Sequence, residues 1–393
     1  MKEFKPFEKR VYLSSPTTHK EEREYINEAF EKNWVAPLGF NCDGFEEEMV
    51  KYLDFGSAFA MVSGTSALHL ACKLAGVKKD DIVLCSDLTF AATVNPVSYE
   101  NGKQVFIDSE KDTWNMDPEA LRKGFEKYPN AKAVIVVDLY GTPAKLDEIK
   151  KICDEHNCPL IEDAAEALGS SYKNKKCGTY GKYNILSFNG NKIITTSGGG
   201  MIICENKEDR DKALFYSTQT REKAPWYEHK ELGYNYRMSN VVAGIGRGQL
   251  LHIEEHKQRK QEIYQRYKEG FKDLPVSMNP YSNDSNPNNW LSCLLINKEA
   301  MCKHERNETE YSYEHEIGKT CPDEIADVLS KHNVETRPIW KPMHMQPLYK
   351  DNDYISTGVA EDIFDRGLCL PSDIKMTNEE QDIVIEIIKS CFE

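Results

Sequence analysis

The sequence has no run of about 18 consecutive apolar residues, which is the length that a helix needs to cross a bilayer. Its first residues, MKEFKPFEKR, contain no apolar core of the kind that a secretion signal requires. We therefore expect neither a membrane span nor membrane binding. The sequence predicts a soluble, cytoplasmic protein.

Positive charge is scarce relative to negative charge. Lys and Arg number 50 against 64 Asp and Glu, so the formal net charge is -14 at pH 7. This balance argues against binding to nucleic acid, which needs a basic surface. Any anionic ligand would have to be held by local cations and by the free amides at helix N-termini.

Closely spaced cysteine pairs are missing as well. The 12 cysteines are scattered, and the closest two, Cys153 and Cys158, do not form a C-x-x-C motif. We predict neither a disulfide framework nor a zinc site, and expect most cysteines to be buried as small apolar side chains. His304 and His315 lie in an acidic stretch, residues 301–320, which we interpret as an insertion or a mobile loop and not as a metal site.

Alternating strand-like and helix-like segments dominate the first half of the chain. Up to Cys204, short apolar runs alternate with segments of helical periodicity, which indicates an open α/β sheet with mostly parallel strands. We predict a large domain over residues 1–269, including an N-terminal segment and a connecting helix, and a smaller C-terminal α+β domain over residues 270–393. Thr17 is predicted to cap a helix that runs to Lys32.

Two stretches carry most of the chemistry, residues 161–169 (IEDAAEALG) and 187–200 (SFNGNKIITTSGGG). Asp163 ends one apolar run, and Lys192 lies in a polar, Gly-rich turn after another. A carboxylate that pairs with a ring nitrogen and a lysine that forms an imine are the two groups that pyridoxal 5'-phosphate (PLP) requires. Alone, the pair is only an indication, because an Asp at a strand end is more often a helix cap.

A third feature is the sequence Ser63-Gly-Thr-Ser66, which follows a strand-like run and opens an apolar-periodic helix. The amides, hydroxyls and dipole of such a helix start favour a phosphate, although the same residues also make an ordinary N-cap. Phe90 follows another strand-like run, where core packing is the alternative. Ligands of open α/β sheets bind at the carboxyl ends of strands, where Ser63, Phe90 and Asp163 all fall.

Together, the segments EDAAE (162–166), SFNGNKIITTSGGG (187–200) and GYNYRMSN (233–240) resemble the DegT/DnrJ/EryC1/StrS family of PLP-dependent sugar aminotransferases. The resemblance extends over nearly the whole chain and implies fold type I of these enzymes, with active sites shared across a homodimer. It implies that Lys192 bonds PLP and moves protons, and that Asp163 pairs with the pyridine nitrogen. It assigns the remaining cofactor contacts to Gly64, Thr65, Ser66, Phe90, Glu166, Ser187 and, from the neighbouring subunit, Asn235.

Two features depart from many members of this family. Glu166 replaces a Gln or His, and Ser197-Gly-Gly-Gly200 replaces Gly-Glu-Gly-Gly. With residues 217–221 and 337–344, they resemble the subgroup of C4 aminotransferases that act on UDP-4-keto-6-deoxy-N-acetylglucosamine (the PglE type) and form UDP-N-acetylbacillosamine precursors. The resemblance implies L-glutamate as donor and a UDP-linked keto sugar as acceptor. The expected substrate contacts are Asn33, Trp34, Ala36, Arg221, His229, Arg237, Arg337, Lys341 and His344. For Asn33, Trp34 and Ala36, the alternative is a hydrophobic anchor onto the core.

Other functions stay open at this point. Glu166 could contact the acetamido group of the sugar or support the cofactor. The acceptor could carry another nucleotide or another ketone position, for example a dTDP-3-keto sugar. Dehydratases of the same family usually lack the imine lysine, so Lys192 argues against them. A non-catalytic, PLP-binding regulatory protein would not need the complete set of site residues.

Overall fold

The structure is a computed structural model and describes residues 4–393 of the chain. Its strands are β1 Ser57–Met61, β2 Ile82–Ser86, β3 Lys103–Ile107, β4 Ala133–Val137, β5 Leu160–Asp163, β6 Ser171–Tyr172, β7 Lys175–Lys176, β8 Tyr183–Ser187, β9 Gly200–Cys204, β10 Val276–Met278, β11 Ser285–Asn286, β12 Ser292–Ile296, β13 His304–Arg306, β14 Tyr311–Tyr313, β15 Arg337–Pro338, β16 Tyr354–Ile355 and β17 Gly367–Leu370. Its helices are α1 Glu21–Glu31, α2 Phe40–Leu53, α3 Gly64–Leu74, α4 Asn95–Tyr99, α5 Pro118–Lys127, α6 Leu146–Glu155, α7 Lys207–Ser217, α8 Asn240–Leu250, α9 Ile253–Gly270, α10 Pro322–Lys331, α11 Val359–Arg366 and α12 Asn378–Ser390.

An eight-stranded sheet forms the centre of the molecule, in the order β1-β9-β8-β5-β4-β2-β3-β16. Strand β9 is antiparallel to β1 and β8, and the other neighbours are parallel. Parallel strands covered on both faces need apolar side chains throughout, and β4, with the sequence AVIVV, is buried along its length. The sequence prediction of a mostly parallel α/β sheet is confirmed.

A second, antiparallel sheet has the order β10-β12-β17-β15. Its core contains Tyr267 from α9, Leu294 from β12 and Ile388 from α12, together with Val11 from the N-terminal segment. Strand β16, although late in the chain, pairs with β3 of the central sheet. The division into domains at residues 269 and 270 stays a prediction.

The first helix begins later than the sequence predicted. Helix α1 starts at Glu21, and its N-cap, Lys20, provides no side-chain cap. The predicted cap at Thr17 is wrong, because the Thr17 carbonyl accepts a hydrogen bond of 2.7 Å from Gln249 of α8. This tertiary contact holds the chain outside the helix.

Residues 301–320, which the sequence predicted to be an insertion or a mobile loop, contain regular secondary structure. They contain the hairpin of β13 and β14. The Tyr313 hydroxyl donates a hydrogen bond of 3.0 Å to Asp327, so the hairpin is attached to α10. The two strands were not predicted, because charged strands of three residues carry no recognisable apolar alternation.

All twelve cysteines are buried, whereas the sequence predicted burial for most of them. None of the helices within residues 4–393 combines the length and the hydropathy needed to cross a bilayer.

Candidate active site

A cavity of about 300 Å³ lies at the carboxyl ends of β1, β5 and β8 of the central sheet. Asp163 is the last residue of β5, Ser187 is the last residue of β8, and α3 begins shortly after β1. This is the sheet edge at which open α/β sheets bind ligands. Seven of the residues predicted from the sequence line this cavity: Gly64, Thr65, Phe90, Asp163, Glu166, Ser187 and Lys192.

The start of α3 forms a close-fitting corner of the cavity. Ser63 is the N-cap, and Ser66 N donates to Ser63 Oγ at 3.0 Å while Ser63 N donates to Ser66 Oγ at 3.2 Å. The amides of Gly64 and Thr65 lie in the first turn, where a helix offers no acceptor. A Cβ on Gly64 would lie 3.1 Å from the Cβ of Ser187, so glycine allows the two segments to approach. Ser66 is buried in the capping box and lies outside the cavity lining.

Asp163 is 3% exposed and reaches the cavity from β5. Thr93 Oγ1 donates to Asp163 Oδ2 at 2.7 Å, and Ala165 N donates to Oδ1 at 3.2 Å. Burial raises the pKa of Asp163, whereas these two hydrogen bonds and the charge of Lys192 oppose the rise. A cationic ligand group beside this carboxyl would further favour its charged form.

Lys192 enters the cavity from the turn after β8. Its Nζ lies 3.5 Å from Glu166 Oε1 and 3.9 Å from the centre of the Trp290 ring. The turn is closed by backbone hydrogen bonds of 2.9 Å from Phe188 N to Gly199 O and from Thr196 N to Phe188 O. The Lys192 amine is therefore held between a carboxylate and an aromatic face.

Glu166 accepts a hydrogen bond from a residue whose backbone is strained. Tyr140 N donates to Glu166 Oε2 at 2.7 Å, and Tyr140 has a φ of 53°, in the left-handed region that non-glycine residues rarely adopt. Burial raises the pKa of Glu166, and the charge of Lys192 opposes this rise. The Tyr140 hydroxyl accepts a hydrogen bond of 2.9 Å from Trp340 N, which connects Glu166 to the wall of the cavity that Trp340 lines.

Thr93 and Trp290 were not predicted from the sequence as site residues. Thr93 lies on the short helical turn after Phe90, where a hydroxyl near a strand end was the only available signal. Trp290 comes from the loop before β12, and no local pattern connects it with Lys192. Both residues meet the site only through the tertiary fold.

The N-terminal candidates Asn33, Trp34 and Ala36 lie outside the cavity lining. Asn240, at the start of α8, organises this segment: Asn240 N donates to Ala36 O at 2.9 Å, and Asn240 Nδ2 donates to Trp34 O at 2.8 Å. The Trp34 side chain is 44% exposed. The substrate role of these residues stays a prediction.

Asn235 is exposed, while its neighbours Tyr234 and Tyr236 turn inward and stack at 4.9 Å. The rings pack around His69 of α3, whose Nδ1 is 3.1 Å from the Tyr236 hydroxyl. Asn235 does not line the cavity of its own chain. Alternation along this short extended segment therefore directs Asn235 away from the core.

Three further candidates lie on the loop that contains Asn235 or just after it. Arg221 and His229 form an antiparallel bridge, and the Arg221 guanidinium lies 4.1 Å from the centre of the Tyr227 ring. Arg237 forms an antiparallel bridge with Met61 at the end of β1. All three lie outside the cavity lining.

The candidates Arg337, Lys341 and His344 also lie outside the cavity lining, although Trp340 between them contributes to it. The Trp340 ring lies 5.2 Å from that of Phe90. His344 Nδ1 is 2.8 Å from buried Asp87, and this carboxylate helps to raise the pKa of His344 against the effect of burial. His344 thus anchors the segment to the central sheet.

Two groups of potential metal ligands exist in the described part of the chain, and neither lines the cavity. One contains His304, Cys321 and Asp323, but Asp323 also accepts hydrogen bonds from Arg306, which a metal ion would have to displace. The other contains Asp138, Glu162 and Cys177; the Glu162 carboxylate accepts hydrogen bonds from the amides of residues 178, 180 and 181. Burial and the charge of Glu162 raise the pKa of Asp138 well above its usual range.

The fold and the cavity are those of a PLP-dependent transaminase. The model of the DegT/DnrJ/EryC1/StrS aminotransferase family matches residues 16–389, and the chain belongs to this family. It is thus a PLP-dependent sugar aminotransferase, as the sequence predicted.

Three relatives illustrate the range within the family. The chain is 44% identical to a Bacillus subtilis protein whose provisional name is pyridoxal phosphate-dependent aminotransferase EpsN, over 98% of this chain and 96% of that protein. It is 33% identical to GDP-perosamine synthase of Escherichia coli O157:H7, over 98% and 99%. It is 39% identical to UDP-4-amino-4,6-dideoxy-N-acetyl-beta-L-altrosamine transaminase of Campylobacter jejuni, but over 61% of this chain and 64% of that protein.

Solved structures share the fold. PseC of Helicobacter pylori, an aminotransferase involved in the biosynthesis of pseudoaminic acid, superposes with a TM-score of 0.86 over 98% of this chain and 99% of that one. The two sequences are 24% identical, so this similarity concerns the fold alone.

Proposed function

We propose that this enzyme transfers an amino group from L-glutamate to the C4 ketone of a UDP-4-keto-6-deoxy-N-acetylhexosamine, giving a UDP-4-amino sugar for glycan biosynthesis. The main support is the convergence of Asp163, Lys192 and the start of α3 on one cavity. These three elements offer an anionic group, an amine and a phosphate-binding corner. Transamination with PLP needs all three.

The residues of the cavity fit PLP. The corner formed by Gly64, Thr65 and Ser187 suits a phosphate, because it combines free helix amides with hydroxyls in a space that a Cβ would fill. Asp163 suits a protonated ring nitrogen, since its buried carboxylate favours a cationic partner. Phe90 suits the face of a ring. When bound there, PLP supplies an electron-accepting ring that makes the C–H beside a substrate nitrogen acidic.

In this proposal, Lys192 Nζ first binds the cofactor. Once free, the amine takes a proton from the carbon of the amino acid and gives it to the cofactor carbon, and with the keto sugar it moves a proton in the opposite direction. Glu166, 3.5 Å from Lys192 Nζ, helps to hold this amine in place. Trp290 covers the amine from the other side and limits access of water. Asp163 keeps the pyridine nitrogen protonated, and therefore charged, throughout both half-reactions.

The acceptor is the part of the proposal that depends most on relatives. The name of the Campylobacter relative supports a UDP-linked, N-acetylated amino sugar, whereas the name of the Escherichia relative supports a GDP-linked sugar as the second candidate. The motif similarities at Glu166 and at residues 197–200 favour the UDP-linked sugar. Arg337 and Lys341 flank Trp340 in the chain and are our candidates for contacts with the diphosphate.

We further propose that two chains share their active sites. Asn235 is exposed and does not line the cavity of its own chain, which supports a contact with the cofactor phosphate of a neighbouring copy. The chain also presents exposed large side chains that a second copy could cover: Phe30, Trp34, Leu38, Trp226 and Tyr227.

The proposal is tested by supplying L-glutamate with UDP-4-keto-6-deoxy-N-acetylglucosamine or, in parallel, with a GDP-linked 4-keto-6-deoxyhexose, and following products by mass spectrometry. We expect conversion of the ketone to an amine on the UDP sugar. Conversion of the GDP sugar alone would contradict the proposed acceptor and leave the aminotransferase assignment intact. Loss of the visible cofactor band with L-glutamate, without any sugar product, would also contradict the acceptor.

A further inference from the structure

Lys260, on α9, is a lysine buried among neutral partners. It is 3% exposed, and its Nζ donates to Ser14 Oγ at 3.0 Å and to the carbonyl oxygen of Trp290 at 3.0 Å. Burial lowers the pKa of Lys260 to about 7, and the charge of Asp373 opposes this effect. Burying an amine costs free energy unless the amine is hydrogen-bonded, so the bonds to Ser14 and Trp290 are needed to stabilise Lys260 in this position.

Both hydrogen-bond partners of Lys260 also donate a hydrogen bond to the same backbone carbonyl. Ser14 Oγ donates to the carbonyl oxygen of Asn191 at 2.9 Å, and Trp290 Nε1 donates to the same oxygen at 2.7 Å. Asn191 directly precedes Lys192. The Trp290 ring, in addition, lies 3.9 Å from Lys192 Nζ.

We propose that Lys260 is a positioning residue for Lys192, because it holds Ser14 and Trp290 in the positions that fix the Asn191 carbonyl and place the indole ring against the Lys192 amine. This inference rests on the proposed function, in which Lys192 is the lysine that bonds the cofactor. Lys260 lies outside the cavity lining, so it acts through these two neighbours.

The network joins parts of the chain that are far apart in sequence. Ser14 belongs to the N-terminal segment, Lys260 to α9 and Trp290 to the loop before β12. Ser15 N donates to Asp373 at 2.9 Å, which extends the attachment to the segment after β17. The position of Lys192 therefore depends on the C-terminal part of the chain as well as on the central sheet.

The test compares the full-length protein with Lys260→Met and Lys257→Met, all freed of cofactor. Methionine keeps an unbranched apolar side chain but donates no hydrogen bond. Lys257 is the matched control: it lies one turn earlier on α9, is 7% exposed, and its Nζ donates to Gly169 O at 2.7 Å instead of to the Lys192 network. PLP is added, borohydride stops the reaction at set times, and mass spectrometry quantifies the label on each lysine.

We expect labelling of Lys192 to slow about tenfold in Lys260→Met, because small misplacements of a reacting group cost this much or more. Lys257→Met should label within about twofold of the original protein, since its loss does not touch Asn191 or Trp290. In the loaded proteins, the visible absorbance maximum should shift for Lys260→Met alone, because a displaced indole ring changes the surroundings of the Lys192 nitrogen that bonds the cofactor. Equal labelling rates for the two variants would overturn the inference.

If Lys260→Met does not fold, Ser14→Ala carries the test. It removes the hydroxyl that connects Lys260 with the Asn191 carbonyl, and labelling of Lys192 should slow in the same direction. An unchanged rate would overturn the inference. Label on another lysine of the original protein would instead contradict the proposed role of Lys192, so the two failures can be told apart.

Discussion

Thr93 donates a hydrogen bond of 2.7 Å from its Oγ1 to Asp163 Oδ2. The bond lies inside the protein, where burial raises the pKa of Asp163. Thr93 itself is held by Thr89, whose Oγ1 is 2.6 Å from Thr93 Oγ1. The hydroxyl therefore favours the charged carboxylate that a protonated ring nitrogen needs.

Replacing Thr93 by Val should weaken PLP binding about 10- to 100-fold, since a hydrogen bond to a charged group contributes roughly 1.5–3 kcal/mol. Valine has a similar shape but donates no hydrogen bond, so the pKa of Asp163 should rise further. When the pH falls, Asp163 becomes protonated and no longer pairs with the ring nitrogen. A higher pKa of Asp163 makes this happen at a higher pH, so the acid limit of PLP binding should move to higher pH. Titration of the cofactor-free protein with PLP at several pH values measures both effects.

Two further variants, one expected to have a weaker effect and one a stronger effect, serve as comparisons for Thr93→Val. Thr89→Val keeps the bond between Thr93 and Asp163 and should change PLP affinity less than Thr93→Val. Asp163→Asn removes the carboxylate altogether and should bind PLP weakly, with almost no turnover. An acid limit that does not move in Thr93→Val would show that the hydroxyl does not control Asp163.

Replacing Lys192 by Ala should abolish the visible absorbance of protein-bonded cofactor and reduce turnover by about 1,000-fold or more, because no other amine in the proposal serves as the proton carrier. Borohydride reduction followed by peptide mass spectrometry checks the bonding site. A retained band with label on another lysine would contradict the assignment. Lys182→Ala, at an exposed salt bridge before β8, is a suitable control with unchanged absorbance.

Local sequence patterns indicated the parts of the site that directly follow strand-like runs. Asp163, Ser187 and the start of α3 follow short apolar runs, and parallel strands bring their carboxyl ends to the same edge. Trp290 could not be found in this way, because it approaches Lys192 from a loop whose position depends on the packing of the C-terminal part. Tyr140 was missed for another reason: nothing in its neighbours indicates a φ of 53°.

The fold shows the same contrast between local and tertiary signals. The buried strand β4 was predicted because five apolar residues in a row leave little alternative. The start of α1 was misplaced because Gln249, distant in sequence, binds the Thr17 carbonyl. A capping sequence favours the start of a helix only weakly, and a tertiary hydrogen bond of this kind overrides it.

A mixed-dimer experiment tests the proposed shared site. Asn235→Ala should weaken PLP binding about tenfold through loss of a phosphate contact. If Asn235 serves the neighbouring copy, mixing Asn235→Ala with Lys192→Ala should create one site that has both residues intact. Unfolding, mixing and refolding the two variants should therefore restore part of the activity.

The controls for the mixed dimer are each variant refolded alone, which should stay at its low activity. If the mixture is no more active than the sum of these two, Asn235 does not act across an interface. Sedimentation of the same samples checks that dimers have formed. A monomer with full activity would contradict the shared site directly.

His304 connects the hairpin of β13 and β14 to two carboxylates. Its Nδ1 is 3.1 Å from Asp323 Oδ2 and its Nε2 is 3.1 Å from Asp365 Oδ1. These groups raise the pKa of His304 from 6.5 to about 9. Because the folded-state pKa is raised, the protonated ring stabilises the fold fully below about pH 6.5, and this contribution is lost as the pH rises through about 9.

Replacing His304 by Gln should lower the free energy of unfolding by about 2 kcal/mol near neutral pH, the cost of losing hydrogen bonds to charged groups. The difference from the original protein should shrink as the pH rises through about 9, where the histidine of the original protein also becomes neutral. Urea unfolding at several pH values measures it. His315→Gln is the control, since the side chain of His315 is 52% exposed and its replacement should give a small difference. A deficit in His304→Gln that is the same at pH values on both sides of this range would show that His304 contributes by packing and not by its charge.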